Sequence, residues 1–159
     1  MSESSTWAGL PTAMILLLAG FALFVARLAY VDGRRRRLLI SALQAEIEEI
    51  RVATDDDVAA LRRRLQKGEV PFVMVDMSYP VFDGHQHELS LLDKKMLSAV
   101  VKTYTLDRVL SKSLLSFQNE QFQALSGERK DEILDVFERA NTSFRQHRKS
   151  TIELLSRTG

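Results

Sequence analysis

Between Ala8 and Val31 the chain carries only one strongly polar side chain, Arg27. Few folds accept such a run. As a helix rising 1.5 Å per residue it reaches roughly 36 Å, more than the about 30 Å of a bilayer's hydrocarbon core, and a helix satisfies its own backbone hydrogen bonds in lipid. Ten residues from Ile15 to Val31 are Leu, Ile, Phe or Val. Each favours insertion by roughly 0.3 to 0.6 kcal/mol, against a cost of about 2.5 to 3.5 kcal/mol for an Arg at the helix centre. Arg27 lies about two turns from the centre, where a guanidinium can snorkel to the headgroups; contact with another membrane subunit is the alternative. Trp7 and Tyr30 fall where an aromatic interface belt is expected.

The flanks orient the run. A cleavable signal peptide opens on a basic stretch and ends at a small-residue cleavage site, whereas this chain opens Ser2-Glu3-Ser4-Ser5-Thr6 and runs into Arg34-Arg35-Arg36-Arg37. An uncleaved anchor is therefore expected. No Lys or Arg precedes Trp7, and Arg34, Arg35, Arg36, Arg37 and Arg51 follow Asp32. By the positive-inside rule the N-terminus lies outside and the C-terminus in the cytoplasm, as in a protein of the bacterial inner membrane. Arginine runs also occur as nuclear-localisation or nucleic-acid patches. Directly after a membrane helix, topology and contact with anionic headgroups come first, at about 1 kcal/mol per Arg near the surface.

The remainder reads as one modest helical domain. With charged residues at 27% and a net charge of +1, no global basic field points to nucleic acid. The absence of cysteine removes disulfides, thiolate nucleophiles and the common structural zinc sites. Ile40, Leu43, Ile47 and Ile50 are spaced 3-4-3, one stripe along a juxtamembrane helix. The stripe serves either a short coiled coil or packing on the chain's own domain, and Asp32-Gly33 leaves open whether the membrane helix continues into it. Thr54 and Asp55-Asp56-Asp57 supply helix-start chemistry, Arg62-Arg63-Arg64 and Lys67 helix-end charge, and Gly68 a left-handed stop.

Residues 69–92 change character. Val70-Pro71-Phe72-Val73-Met74-Val75 is apolar and β-branched, and Pro71 and Pro80 restrict the backbone. With no strand partner elsewhere, this reads as an irregular apolar connector. Phe72, Val73, Met74, Val75, Tyr79 and Phe82 are the candidate partner-binding residues, because so much apolar surface has to be buried against something. Beyond it, Leu97, Val101, Tyr104, Leu110, Leu114 and Phe117 suggest one amphipathic helix from Asp93 to about Ala124. Ile133, Phe137, Ala140, Phe144, His147, Thr151 and Leu154 keep a strict heptad order after Ser126-Gly127. Two such helices joined by a tight turn form an antiparallel hairpin, with Ser126 as the second helix's N-cap.

Chemistry-bearing patterns are scarce. His85-Gln86-His87, even with Asp83 and Glu88 nearby, falls short of a tetrahedral ligand set and reads as a solvated loop. His147 lies on the heptad stripe and reads as a packed or interfacial histidine. Glu46, Glu48 and Glu49 read as a solvated helix face. Phosphate-loop, dinucleotide, nucleophile-elbow and zinc-helix motifs are all missing, so neither a cofactor nor an enzymatic activity is expected.

The layout superficially resembles the b subunit of the ATP synthase peripheral stalk. The composition departs from it, since Pro71, Pro80, Gly84 and Gly127 interrupt what would have to be one polar, Ala-rich helix. Tyr79-Pro80-Val81-Phe82-Asp83, then Leu89-Ser90-Leu91-Leu92, Ala99-Val100-Val101 and Tyr104 resemble small uncharacterised bacterial single-pass membrane proteins. That resemblance implies an anchor with a cytoplasmic helical domain and no particular activity.

The expected fold is all-α. It comprises a short extracytoplasmic tail (1–7), a transmembrane helix (8–31), a juxtamembrane helical segment (32–68), the connector (69–92) and the hairpin (93–159). The membrane-interface residues are Trp7, Arg27, Tyr30 and Arg34 to Arg37, facing a bilayer with anionic headgroups. The expected function is that of a membrane-tethered interaction or scaffold protein that binds a protein partner or itself. The alternative is a membrane-acting effector or regulator, of the defence or stress kind, that works as an oligomer.

Overall fold

The computed structural model describes residues 10–72, 75 and 77–157, so Trp7, Val73 and Met74 lie outside the described residues. Among the described residues all regular secondary structure is helical, with no strand. Two compact units meet at the boundary between Leu38 and Leu39.

The first unit consists of the N-terminal part of helix α1, Leu10–Glu49. From Leu16 onward this helix is long and apolar enough to cross a membrane, with a mean hydropathy of 1.7 in its most apolar stretch. Leu16, Leu17, Leu18, Phe21, Leu23 and Phe24 are all exposed. So continuous an apolar surface is unfavourable in water and favourable in lipid. Asp32 and Gly33 stay inside α1. A helical Gly costs only about 1 kcal/mol relative to Ala, too little to end a helix that is good on both sides.

The second unit begins with the last turns of α1. Leu39, Ile40, Leu43 and Ile47 are buried there and Ile50 is half-buried, so the 3-4-3 stripe packs into the chain's own core. Each fully buried Leu or Ile contributes roughly 1.5 to 3 kcal/mol. The helix ends at Glu49, where Arg148 donates from Nε to the carbonyl of Ile47 at 2.8 Å and from Nη2 to that of Glu48 at 2.5 Å. A guanidinium on the last carbonyls satisfies acceptors that a helix end leaves open and complements its dipole.

Helix α2, Asp55–Gln66, carries its start and stop in its sequence. Thr54 Oγ1 accepts from the amide of Asp57 at 3.2 Å, and Asp57 Oδ2 accepts from the amide of Thr54 at 2.9 Å, a reciprocal capping box. At the other end Gly68 adopts φ +73°. The amides of Gly68 and Glu69 reach back to the carbonyls of Leu65 and Arg64 at 3.1 and 3.0 Å, the paired closure that a left-handed glycine permits.

The stretch expected to be an irregular connector is helical in its second half. Helix α3, Pro80–Gly84, is followed by a 3₁₀ turn, Gln86–Leu91. Pro80 sits in the first turn of α3, where its fixed φ suits a helix and its missing N–H is not needed. Helix α4, Lys94–Ser116, is capped by Asp93, which accepts from the amide of Met96 at 2.9 Å. It stops short of the Ala124 expected from sequence. Phe117 is wholly buried against Phe122 and Phe137, with ring centroids 4.9 and 5.5 Å away, and Gln123 Nε2 donates to its carbonyl at 2.7 Å. A one-turn helix α5, Glu120–Gln123, then leads to α6, Gly127–Ser156, whose N-cap Ser126 accepts from the amide of Arg129.

Two apolar clusters fill this unit. Leu155 from the end of α6 joins Met96, Val100 and Tyr104 from the first half of α4, together with the α1 stripe. Leu134 and Phe137 from the start of α6 join Leu110 and Phe117 from the second half of α4, together with Val58, Leu61 and Leu65 of α2. Arg62 fastens α2 to α6 through Asp135 at 2.6 Å and Glu138 at 3.3 Å.

Candidate functional site

Within the second unit the C-terminal turns of α1, α2, the connector and α4 surround a cleft of about 1400 Å³, with α6 behind it. The walls are mostly apolar, as in ordinary ligand sites. The floor is polar. Asp107 and Ser111, one turn apart on α4, and Asn141 on α6 all line it, and they are 7%, 5% and 3% exposed. Thr103, one turn before Asp107, is buried as well and donates to Thr151 Oγ1 of α6 at 3.1 Å. A buried line of Thr103, Asp107 and Ser111 runs at i, i+4, i+8, so one face of α4 inside the core is polar.

Asn141 and Asp107 have different partners, and Ser111 has none among the described residues. Asn141 Nδ2 donates to the carbonyl of Ala53 at 2.8 Å, holding the link between α1 and α2. Asp107 Oδ2 accepts a hydrogen bond from the Tyr79 hydroxyl. Neither Asp107 nor any other residue of this floor forms a salt bridge among the described residues. Ser111 makes no side-chain hydrogen bond among them. Burial holds the Asp107 carboxyl above the usual carboxylate range, while the Tyr79 hydroxyl and the charge of Arg148 pull it back down.

A second carboxylate builds the upper wall. Glu46 of α1 accepts from the amides of Val81 and Phe82 at 2.7 and 3.0 Å and from the Tyr104 hydroxyl at 2.6 Å. It supplies the N-terminal cap that α3 lacks from its own neighbours. Tyr104 packs edge-on to Tyr79 at 5.0 Å and stacks on Phe82 at 4.1 Å, and Arg108 lies over Tyr79 at 5.1 Å while pairing with Asp83 at 2.7 Å. Burial pushes both phenols well above their ordinary range, Tyr79 further through Asp107 and Tyr104 further through Glu46. Both remain protonated donors.

The residues singled out from sequence divide sharply. Phe72 is 80% exposed and stands on the cleft's rim. Val75 is half-buried in the same wall. Tyr79 and Phe82, however, are 3% and 8% exposed inside the domain's own core, so as surface anchors they are corrected: the aromatic stack with Tyr104 claims them. Arg27, Tyr30, Arg34, Arg35 and Arg37 are exposed, and Arg36 is half-buried.

Several functional candidates escaped the sequence reading. Glu46, taken as part of a solvated face with Glu48 and Glu49, is half-buried with three donors. Asp107 and Ser111 look like polar spacers between apolar positions. The signal that could have found them is their four-residue spacing with Thr103 on a helix whose Val101 and Val109 face outward. His85 and His87 flank Glu88 at 3.5 and 3.6 Å, and no set of three or more ligating side chains able to hold a metal ion occurs among the described residues. His147 Nε2 lies 3.2 Å from the carbonyl of Ala99. Only an N–H satisfies a carbonyl, so the proton is assigned to Nε2 and the ring joins α6 to α4.

No protein family, curated protein or solved structure was found to match this chain.

Proposed function

We propose that the protein is a membrane-tethered interaction module. Its first unit is a single-pass anchor with the N-terminus outside, and Arg34 to Arg37 hold the other end at anionic headgroups on the cytoplasmic side of a bacterial inner membrane. Its second unit is a cytoplasmic helical domain that binds a protein partner or a second copy. The observation that carries the reading is the change along α1. Met14, Leu16, Leu17, Leu18, Phe21, Leu23, Phe24, Val25 and Leu28 are exposed, whereas Leu39, Ile40, Leu43 and Ile47 are buried in a core of their own. The first pattern suits lipid and the second a packed domain in water.

The partner surface is the cleft rim. Phe72 presents apolar area at the mouth of an apolar cleft, and aromatic residues are enriched at the cores of protein interfaces. A photo-crosslinking residue placed at position 72 of the full chain in its membrane tests this, with the exposed Val136 on α6 as control. One discrete adduct from position 72 and none from 136 is expected. No adduct from 72, with a monodisperse monomer in mild detergent, would overturn the reading.

A further inference from the structure

The buried floor of the cleft carries chemistry that a purely apolar docking groove does not need. Asp107 is one of four carboxylates on the lining, with Glu46, Glu49 and Asp57, against two guanidinium groups, Arg51 and Arg64. Fully ionised, the lining carries two more negative charges than positive ones. Asp107 is the most buried of the six. Its Oδ2 takes the Tyr79 hydroxyl, which leaves Oδ1 with no donor among the described contacts. Arg148, the cation close enough to act on Asp107, is engaged with the carbonyls that end α1. Ser111 Oγ lies one turn further along the same face without a hydrogen bond. A largely buried carboxylate whose open oxygen lines the cleft, one helical turn from an unpartnered hydroxyl, is complementary to a compact cation that donates more than one hydrogen bond.

We propose that the cleft binds a small molecule that joins an apolar body to a protonated amine. The ammonium sits on the floor, donating to Asp107 Oδ1 and Ser111 Oγ, and the body lies along the wall made by Val58, Leu61, Leu110 and Leu114. The cleft volume of about 1400 Å³ exceeds the 300 to 1,000 Å³ or so of a typical drug-sized site, so the outer part stays open above the bound molecule. An amine is favoured over a neutral donor because it restores the charge balance that burial of Asp107 disturbs. It is favoured over a guanidinium because Tyr79 already occupies Oδ2, and the planar fork of a guanidinium pairs best with both oxygens of a carboxylate, whereas a compact ammonium needs only one. This binding does not rest on the anchoring or partner reading above: it uses Asp107 and Ser111 on the cleft floor, whereas the partner reading uses Phe72 at the rim.

The test uses the full chain in nanodiscs of zwitterionic lipid, with three probes of equal body: 4-phenylbutylamine, 4-phenylbutanol and 4-phenylbutyrate. Calorimetry is corrected against protein-free nanodiscs. The amine is expected to bind at least tenfold more tightly than the alcohol, and the carboxylate more weakly still. In Asp107→Asn, which keeps an acceptor for Tyr79, the amine and alcohol should bind alike. Equal binding of all three probes to the native chain, or no binding of the amine, would overturn the proposal whatever the variant does. So would an amine preference that survives in Asp107→Asn.

Discussion

Asp107 is the residue at which this domain departs most from what stability alone would choose. A carboxyl above its usual range in the folded state binds its proton more readily folded than unfolded, so stability falls as pH rises from the ordinary carboxylate value through the raised one, and the penalty is then constant. Asp107→Asn removes the charge and retains the bond from Tyr79. Its melting temperature should exceed that of the native chain at neutral pH, with the gap closing as pH falls below the ordinary carboxylate range. Glu46 has the opposite character. Three donors converge on it, and leaving buried donors unpaired costs about 1 to 3 kcal/mol each. Because water can reach part of α3, Glu46→Ala should destabilise by about 3 kcal/mol in total, and Glu46→Gln by less, read by chemical denaturation of the membrane-reconstituted chain.

At the level of elements, the parts legible in the sequence were those written in short-range chemistry. Thr54 with Asp57, Gly68 and Ser126 marked helix ends through local hydrogen bonds, and the structure places them there. Faces were harder. On α4 the stripe holds at Tyr104, Leu110 and Phe117, which are buried, but Leu97 and Leu114 are only half-buried and Val101 is exposed. Met96, Val100, Thr103 and Asp107 complete the buried face there. On α6 the stripe was right at Phe137, Phe144 and Thr151, but its deepest line passes through Leu134, Asn141 and Leu155 rather than Ile133, Ala140 and Leu154. In both cases polar residues occupy core positions, so hydrophobic periodicity points to the flank of the true face. The cleft was illegible for the same reason: its floor is built from residues that look solvent-facing. The short helix α3 was missed because its cap, Glu46, lies far away in sequence. The capping box of α2 gives a local test. Thr54→Ala should cost about 1 kcal/mol at neutral pH. The backbone and side chain of Thr54 hold the Asp57 carboxyl below its ordinary value, so this contribution is complete above the ordinary value and is lost as pH falls through the lowered one. The difference between native chain and variant should narrow in strong acid.

At the scale of the whole molecule, the protein as proposed is an oriented tether, with its apolar helix in the bilayer, the arginines at that helix's inner end and the helical domain in the cytoplasm. The absence of cysteine makes this directly measurable, since any introduced thiol is the sole reactive one. Ser4→Cys and Thr158→Cys, expressed separately in intact cells, are exposed to a membrane-impermeant maleimide before and after permeabilisation. The expected result is labelling at position 4 in intact cells and at position 158 only after permeabilisation. Labelling of position 158 in intact cells, with position 4 protected until permeabilisation, would contradict the orientation. Labelling of both positions without permeabilisation would contradict the membrane span itself.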